Sequence, residues 1–181
     1  MEERWQIRKK QFHLKPFSAN DGDIEGQISR GTDDLEVIFS FSDGNNLMKW
    51  PNHPPPQSRR EGLWEQTCFE VFIKPRGKPQ YWEFNLAPTG HWECYRFTNY
   101  RQQRVREQQI GSLVITTSDH QGRFTLKGTL PLNFLFPPEQ PLDLGLSAVI
   151  VNRDDEVSYW ALSHFTAKPD FHNPKTFVLQ L

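Results

Sequence analysis

The chain holds only two cysteines and two methionines. No apolar run approaches the length of about 20 residues that a membrane-spanning helix requires. The two cysteines, Cys68 and Cys94, are too few for the disulfide framework on which small secreted folds depend. They are expected as reduced, mostly buried thiols under a cytosolic redox poise, a bridge between adjacent strands being the alternative. The segment Met1-Glu2-Glu3-Arg4-Trp5-Gln6 lacks the apolar core of a signal peptide. These absences lead to the expectation of a soluble, cytoplasmic protein with no membrane partner. Charge bias is missing as well. With 21 basic and 22 acidic residues nothing global attracts a polyanion, so nucleic acid is not an expected partner. Neither a GxSxG elbow, a P-loop nor a dinucleotide fingerprint occurs. No repeat or composition break divides the sequence, which leads to one domain over residues 1–181, large enough to bury a core unaided. Oligomeric state stays open.

Aromatic residues and turn formers are what the chain does have: 14 Phe, 6 Trp, 14 Pro and 11 Gly. Aromatic side chains suit a pleated, half-buried surface, and Pro and Gly supply the punctuation that many short strands need. Strands are predicted at Gln11–Leu14, Ile24–Ser29, Leu35–Phe41, Thr67–Lys74, Tyr81–Ala87, Trp92–Thr98, Leu113–Thr117, Gly122–Thr129, Leu142–Asn152, Val157–Leu162 and Thr176–Leu181. Turn chemistry separates them, as at Asp21-Gly22, Asp43-Gly44-Asn45-Asn46, Gly77-Lys78-Pro79, Thr89-Gly90, Gln121-Gly122 and Arg153-Asp154-Asp155. The fold class that follows is all-β: an antiparallel β-sandwich, jelly-roll or immunoglobulin-like. Asn99–Ile110 fits a strand or a short helix, and a helical turn is expected around Asn133–Phe136. The proline-rich stretch Trp50–Arg60 reads as a loop packed across the sandwich between Trp50 and Trp64, not as a pairing strand.

The stretch Leu63–Trp92 carries the strongest pattern. In an extended chain successive side chains point to opposite faces. Phe69, Val71 and Ile73 therefore share one face, as do Trp82, Phe84 and Leu86 in the next strand. Cys68, Glu70 and Phe72 take the other face, with Tyr81, Glu83 and Asn85. If the fully apolar sides form the core, Glu70, Glu83 and Asn85 gather on the opposite side of one sheet. In the third strand Trp92, Cys94 and Arg96 are assigned to the side of the acids, and Tyr95 and Phe97 to the core.

Trp64-Glu65-Gln66-Thr67-Cys68-Phe69-Glu70-Val71-Phe72, followed by Tyr81-Trp82-Glu83-Phe84-Asn85-Leu86-Ala87-Pro88-Thr89-Gly90, resembles the DOMON-like domains and their relatives, the family 9 carbohydrate-binding modules. Ser158-Tyr159-Trp160-Ala161-Leu162 and Lys168-Pro169-Asp170-Phe171-His172 are similar to stand-alone bacterial DOMON-like proteins. The resemblance implies a jelly-roll β-sandwich that binds a small ligand, a sugar or haem, and performs no chemistry by itself. Fold alone does not choose between these.

For a sugar, Trp64, Trp92 and Trp160 would stack on the ring, while Glu70, Glu83, Asn85 and Arg96 fix its hydroxyls; His164 is grouped with them. Against this stands a structural reading, in which the tryptophans cap the core. Glu70, Glu83 and Arg96 then form cross-strand ion pairs worth about 0.2–1 kcal/mol each. The resemblance also implies haem held by a Met/His pair, here Met48 with His164 or His172. Calcium, which relatives sometimes bind, would draw on Asp21, Asp23, Asp33 and Asp34, although no EF-hand pattern is present. Nor do His53, His91, His164 and His172 fall at a zinc-ligand spacing. A glycan-processing enzyme would use Glu70 and Glu83, about 5–5.5 Å apart for retention or about 6.5–9.5 Å for inversion. Arg104 and Arg106 with Tyr100 read as a solvated basic edge.

Overall fold

A computed structural model describes residues 8–20, 22–42, 48, 50, 51 and 57–181. The strands are β1 (Arg8–Pro16), β2 (Asp23–Arg30), β3 (Asp34–Ser42), β4 (Ser58–Arg59), β5 (Cys68–Pro75), β6 (Tyr81–Leu86), β7 (His91–Phe97), β8 (Val105–Arg106), β9 (Val114–His120), β10 (Arg123–Pro131), β11 (Leu142–Val151), β12 (Val157–Ala161) and β13 (Leu179–Gln180). Among the described residues there is no α-helix, only 3-10 turns at Leu63–Glu65 and Pro174–Thr176. None of the described residues forms a helix long and apolar enough to cross a membrane.

The hydrogen-bonded path runs β4-β7-β6-β5-β11-β12-β1-β2-β3-β10-β9, with β8 on β7 and β13 on β11. β1 joins two sheets. Arg8–Leu14 pair with β2, whereas Lys15 and Pro16 pair with Ala161 and Trp160 of β12. The path curls over one apolar core. Across it Phe39 of the first sheet meets Phe69 of the second at a ring separation of 5.0 Å, and Phe41 meets Trp160 at 6.3 Å. Space is tight here. A Cβ on Gly128 would come within 2.8 Å of Leu86 Cδ1, so the facing sheets approach where a side chain is missing.

All eleven predicted strand regions contain strand, though the last shrinks to Leu179–Gln180. Pro174 starts a 3-10 turn there, and the Asn173 side chain caps it by accepting from Lys175 N–H. Asn99–Ile110 forms a tight turn, with Arg101 and Gln103 at φ 53° and 49°, and then the short β8 against β7. One expectation fails in the proline-rich stretch. Ser58 and Arg59 pair in parallel with His91 and Trp92, because the chain has left the prolines and regained free N–H groups. Trp50 does pack inward, stacked on Phe124 at 3.8 Å. The turn around Asn133–Phe136 closes through Phe136 N–H to the Leu132 carbonyl, at 2.9 Å. Residues 21, 43–47 and 52–56, including Asp21 of one predicted turn, the whole Asp43–Asn46 turn and His53, lie outside the described residues.

Candidate functional site

Residues directly opposite each other in a sheet point to the same side. The register of β5, β6 and β7 aligns Phe69 with Leu86 and Trp92, and Val71 with Phe84 and Cys94. These rows face the inter-sheet core. The other rows align Glu70 with Asn85 and Glu93, and Phe72 with Glu83 and Tyr95; they form the outer face of the sheet. The predicted grouping of Glu70, Glu83 and Asn85 is present. The assignment in β7 is inverted: Trp92 and Cys94 lie in the core, while Tyr95 and Phe97 stand on the outer face with the acids. Trp160, opposite Ala148, also lies in the core and is 1% exposed. Arg96 follows the parity of Trp92 and sits at the rim, 4.0 Å from Glu107, so the expected ion-pair network with Glu70 and Glu83 does not form.

The outer face is covered by three pieces of chain. Trp64 arrives from the 3-10 turn after Gly62, whose φ of 75° suits glycine, and sets its ring edgewise to Tyr95 at 5.8 Å. The turn after β7 brings Arg101 and Arg104. The guanidinium of Arg104 lies 5.0 Å from the centroids of both Trp64 and Tyr95. The C-terminal segment contributes His172 and Phe177. Phe177 stacks on Phe72 at 5.6 Å and fits because Gly145 lacks a Cβ, which would come within 2.5 Å of Phe177 Cδ1.

Beneath these covers lies a chain of polar groups. Ser147 Oγ donates to Glu70 at 2.8 Å, Asn85 Nδ2 donates to Glu83 at 2.8 Å, and the Cys68 thiol donates to Asn85 Oδ1 at 3.4 Å. Glu70 and Glu83 are each 4% exposed, and neither forms a close Arg or Lys pair among the described residues. Burial, followed by the charge of Glu83, pushes the Glu70 carboxyl up to about 8. Burial also pushes Glu83 up to about 7, against the hydrogen bond from Asn85 and the charges of Arg104 and Arg101. His172 moves the other way, down to about 4, through burial and then Arg101. Tyr81 Oη lies 2.8 Å from His172 Nδ1 and accepts from Arg101 N–H at 3.1 Å. The Nε2 of His172 faces Glu83 at 3.7 Å.

Beside this cluster Glu93 is held differently. Both Arg59 and Arg106 bind its carboxylate, and Cys94 N–H donates to it at 2.9 Å, which fixes β4 and β8 to β7. Arg106 also reaches Glu61 at 3.6 Å, and Arg101 pairs with Asp170 at 2.9 Å.

The sequence-predicted site residues thus divide. Trp64, Glu70, Glu83 and Asn85 come together; Trp92, Trp160 and Arg96 do not join them. His164 is elsewhere, its Nε2 2.8 Å from the Lys15 carbonyl and its ring against Phe17. The Met48 side chain belongs to the inter-sheet core, whereas His172 packs on the outer face. Asp23 pairs with His13, and Asp21 lies outside the described residues. Among the described residues no three His, Cys, Asp or Glu side chains cluster as metal ligands. Tyr81 lies on the outer face with Glu83 and Asn85, as its parity predicts, whereas sequence reasoning missed Tyr95, Ser147 and Arg104 as members of the cluster. A signal for Tyr95 exists: the short turn Ala87–Gly90 sets Leu86 opposite Trp92, and Leu86 is itself core.

No family model and no curated protein matches the sequence. Solved structures do resemble it. A candidate carbohydrate-binding protein from Bacteroides uniformis aligns with a TM-score of 0.70 at 13% identity, over 93% of this chain and 84% of that one. A family 9 carbohydrate-binding module from Caldicellulosiruptor kristjanssonii in complex with cellotriose aligns at TM-score 0.58 and 10% identity, over 87% and 74%. The same organism's module in complex with glucose gives 0.57 and 10%, over 87% and 76%. At such identities the likeness is one of fold, that of β-sandwich carbohydrate-binding modules.

Proposed function

We propose that this protein is a non-catalytic binder of a small carbohydrate, held on the outer face of the β5-β6-β7 sheet. One observation carries the reading: Glu70, Glu83 and Asn85 form a buried, hydrogen-bonded polar cluster on the face that the half-buried indole of Trp64 helps to cover. A sugar ring has an apolar face that suits a flat aromatic surface, and hydroxyls that need fixed acceptors and donors. Carboxyls set among buried donors keep lone pairs in reserve, and each hydroxyl that uses one gains a charge-assisted or neutral bond away from water. The structures that share the fold include modules in complex with cellotriose and with glucose, which supports the class of ligand. In this reading Trp64 supplies the stacking surface and Glu70, Glu83 and Asn85 take the hydroxyls, with Tyr95 and His172 beside them. Trp92 and Trp160 serve the core.

Tryptophan fluorescence titrated with a panel of mono- and disaccharides tests the proposal, alongside Asn85→Ala. Saturable quenching or a blue shift in the wild type, weakened at least tenfold in the variant, is the expected result. A flat response across a broad panel would overturn it.

A further inference from the structure

Resting on the sugar reading above, we infer that the ligand is an acidic sugar, its carboxylate received by Arg104 and Tyr95 while its hydroxyls reach Glu70, Glu83 and Asn85. The inference starts from two unused donors in one corner. The phenol oxygen of Tyr95 is buried and has no hydrogen-bond partner among the described residues. Such a group costs stability, and its persistence calls for an explanation such as a ligand. The guanidinium of Arg104 is exposed and lies 5.0 Å from the centroids of both rings. It makes no hydrogen bond or ion pair among the described residues.

The charge balance around it points the same way. Glu93 and Glu61 are engaged by Arg59 and Arg106, Asp170 by Arg101, and Glu107 by Arg96. Among the described residues Arg104 forms no ion pair with a carboxylate, although its charge acts on Glu83. Glu70 and Glu83, both held up by burial, oppose an incoming anion less than two free carboxylates would. A planar guanidinium suits a carboxylate, which accepts two parallel N–H bonds. Arg104 also lies over Trp64 and Tyr95, so a ring that stacks on the remaining Trp64 surface comes beside the guanidinium and, if uncharged, gains no ion pair from it. An acidic ring can keep it in place and pair with it. Arg104 is thereby the residue that sets specificity.

Calorimetric titration of the wild type with glucose, glucuronate and glucosamine, at low and at moderate salt, provides the test. Arg104→Gln and Tyr95→Phe are titrated in parallel. Glucuronate is expected to bind at least tenfold more tightly than glucose, with an advantage that shrinks as salt rises and falls toward unity in Arg104→Gln. Equal binding of glucose and glucuronate, preference for glucosamine, or a preference unchanged in Arg104→Gln would overturn the inference and leave the sugar reading standing. Absence of binding by all three would overturn both. Arg104 is exposed, so its variant is expected to keep the wild-type melting temperature even if Tyr95→Phe does not.

Discussion

Gln57 pairs with the backbone of Ile115 as though it were a strand. Its side-chain Nε2–H donates to the Ile115 carbonyl at 2.5 Å, and Ile115 N–H donates to its Oε1 at 3.1 Å. Ile115 lies in β9, one end of the strand path, and Gln57 immediately precedes β4, the other end. A single amide therefore bridges the two edges. Replacing it with leucine leaves a donor and an acceptor of β9 without partners, and Gln57→Leu is expected to cost about 1–3 kcal/mol. Urea denaturation measures the loss, and faster hydrogen exchange at the Ile115 amide locates it.

Two tryptophans with similar sequence surroundings are expected to behave in opposite ways. Trp64 is half-buried on the outer face, so Trp64→Ala should abolish the sugar-dependent fluorescence change at a modest cost in stability. Trp92 is 2% exposed in the inter-sheet core, and its replacement by alanine should cost about 3–5 kcal/mol. Binding and urea unfolding measured on both variants separate the two roles. Equal losses of stability would contradict the face assignment.

Stability should depend on pH through the buried carboxyls. In the folded protein Glu70 and Glu83 hold protons up to about 8 and about 7, against an ordinary value of 4.5. The folded state therefore binds more protons, and their contribution is fully present below 4.5 and lost as pH rises through 7 to 8. Each proton of difference changes stability by about 1.4 kcal/mol per pH unit inside that window. His172, lowered to about 4, acts in reverse: its contribution is present above 6.5 and lost as pH falls through 4. The urea midpoint is expected to fall between pH 6 and 9 in the wild type and to fall less in Glu70→Gln. A midpoint that stays flat in the wild type would show both carboxyls ionised when folded.

Cys68 and Cys94 offer a simple check on the sheet faces. Both are free and buried, and burial raises both thiols well above their ordinary range. Cys68 donates to Asn85 on the outer face, whereas Cys94 belongs to the core. Native protein should resist a thiol reagent, and two thiols per chain should react in denaturant. Native labelling confined to Cys68 would mean that the covers over the outer face open, as entry of a ligand to Asn85 requires.

Much of the sheet was legible because strand residues alternate cleanly. Phe69, Val71 and Ile73 against Cys68, Glu70 and Phe72 gave the faces of β5, and the same held for β6. In β7 the rule lost its contrast. Trp92-Cys94-Arg96 and Glu93-Tyr95-Phe97 each mix apolar with charged residues, because Trp64 and Arg104 cover the outer side as the other sheet covers the inner one. Arg104 itself was legible only as a basic residue in an ambiguous segment. Its place depends on the positive φ of Arg101 and Gln103, which no residue type there announces. The Gln57 bridge lay beyond reach for another reason, since it joins a loop side chain to a strand 58 positions away.

The double duty of β1 bears on how the chain is made. Lys15 cannot find Ala161 until some 146 further residues have been made, so β1, β2 and β3 form their hairpins with one apolar face uncovered. Contacts so distant in sequence close slowly, and an uncovered sheet face invites neighbouring nascent chains while it waits. Completion of this sandwich is therefore a late event of synthesis, timed by the arrival of β12.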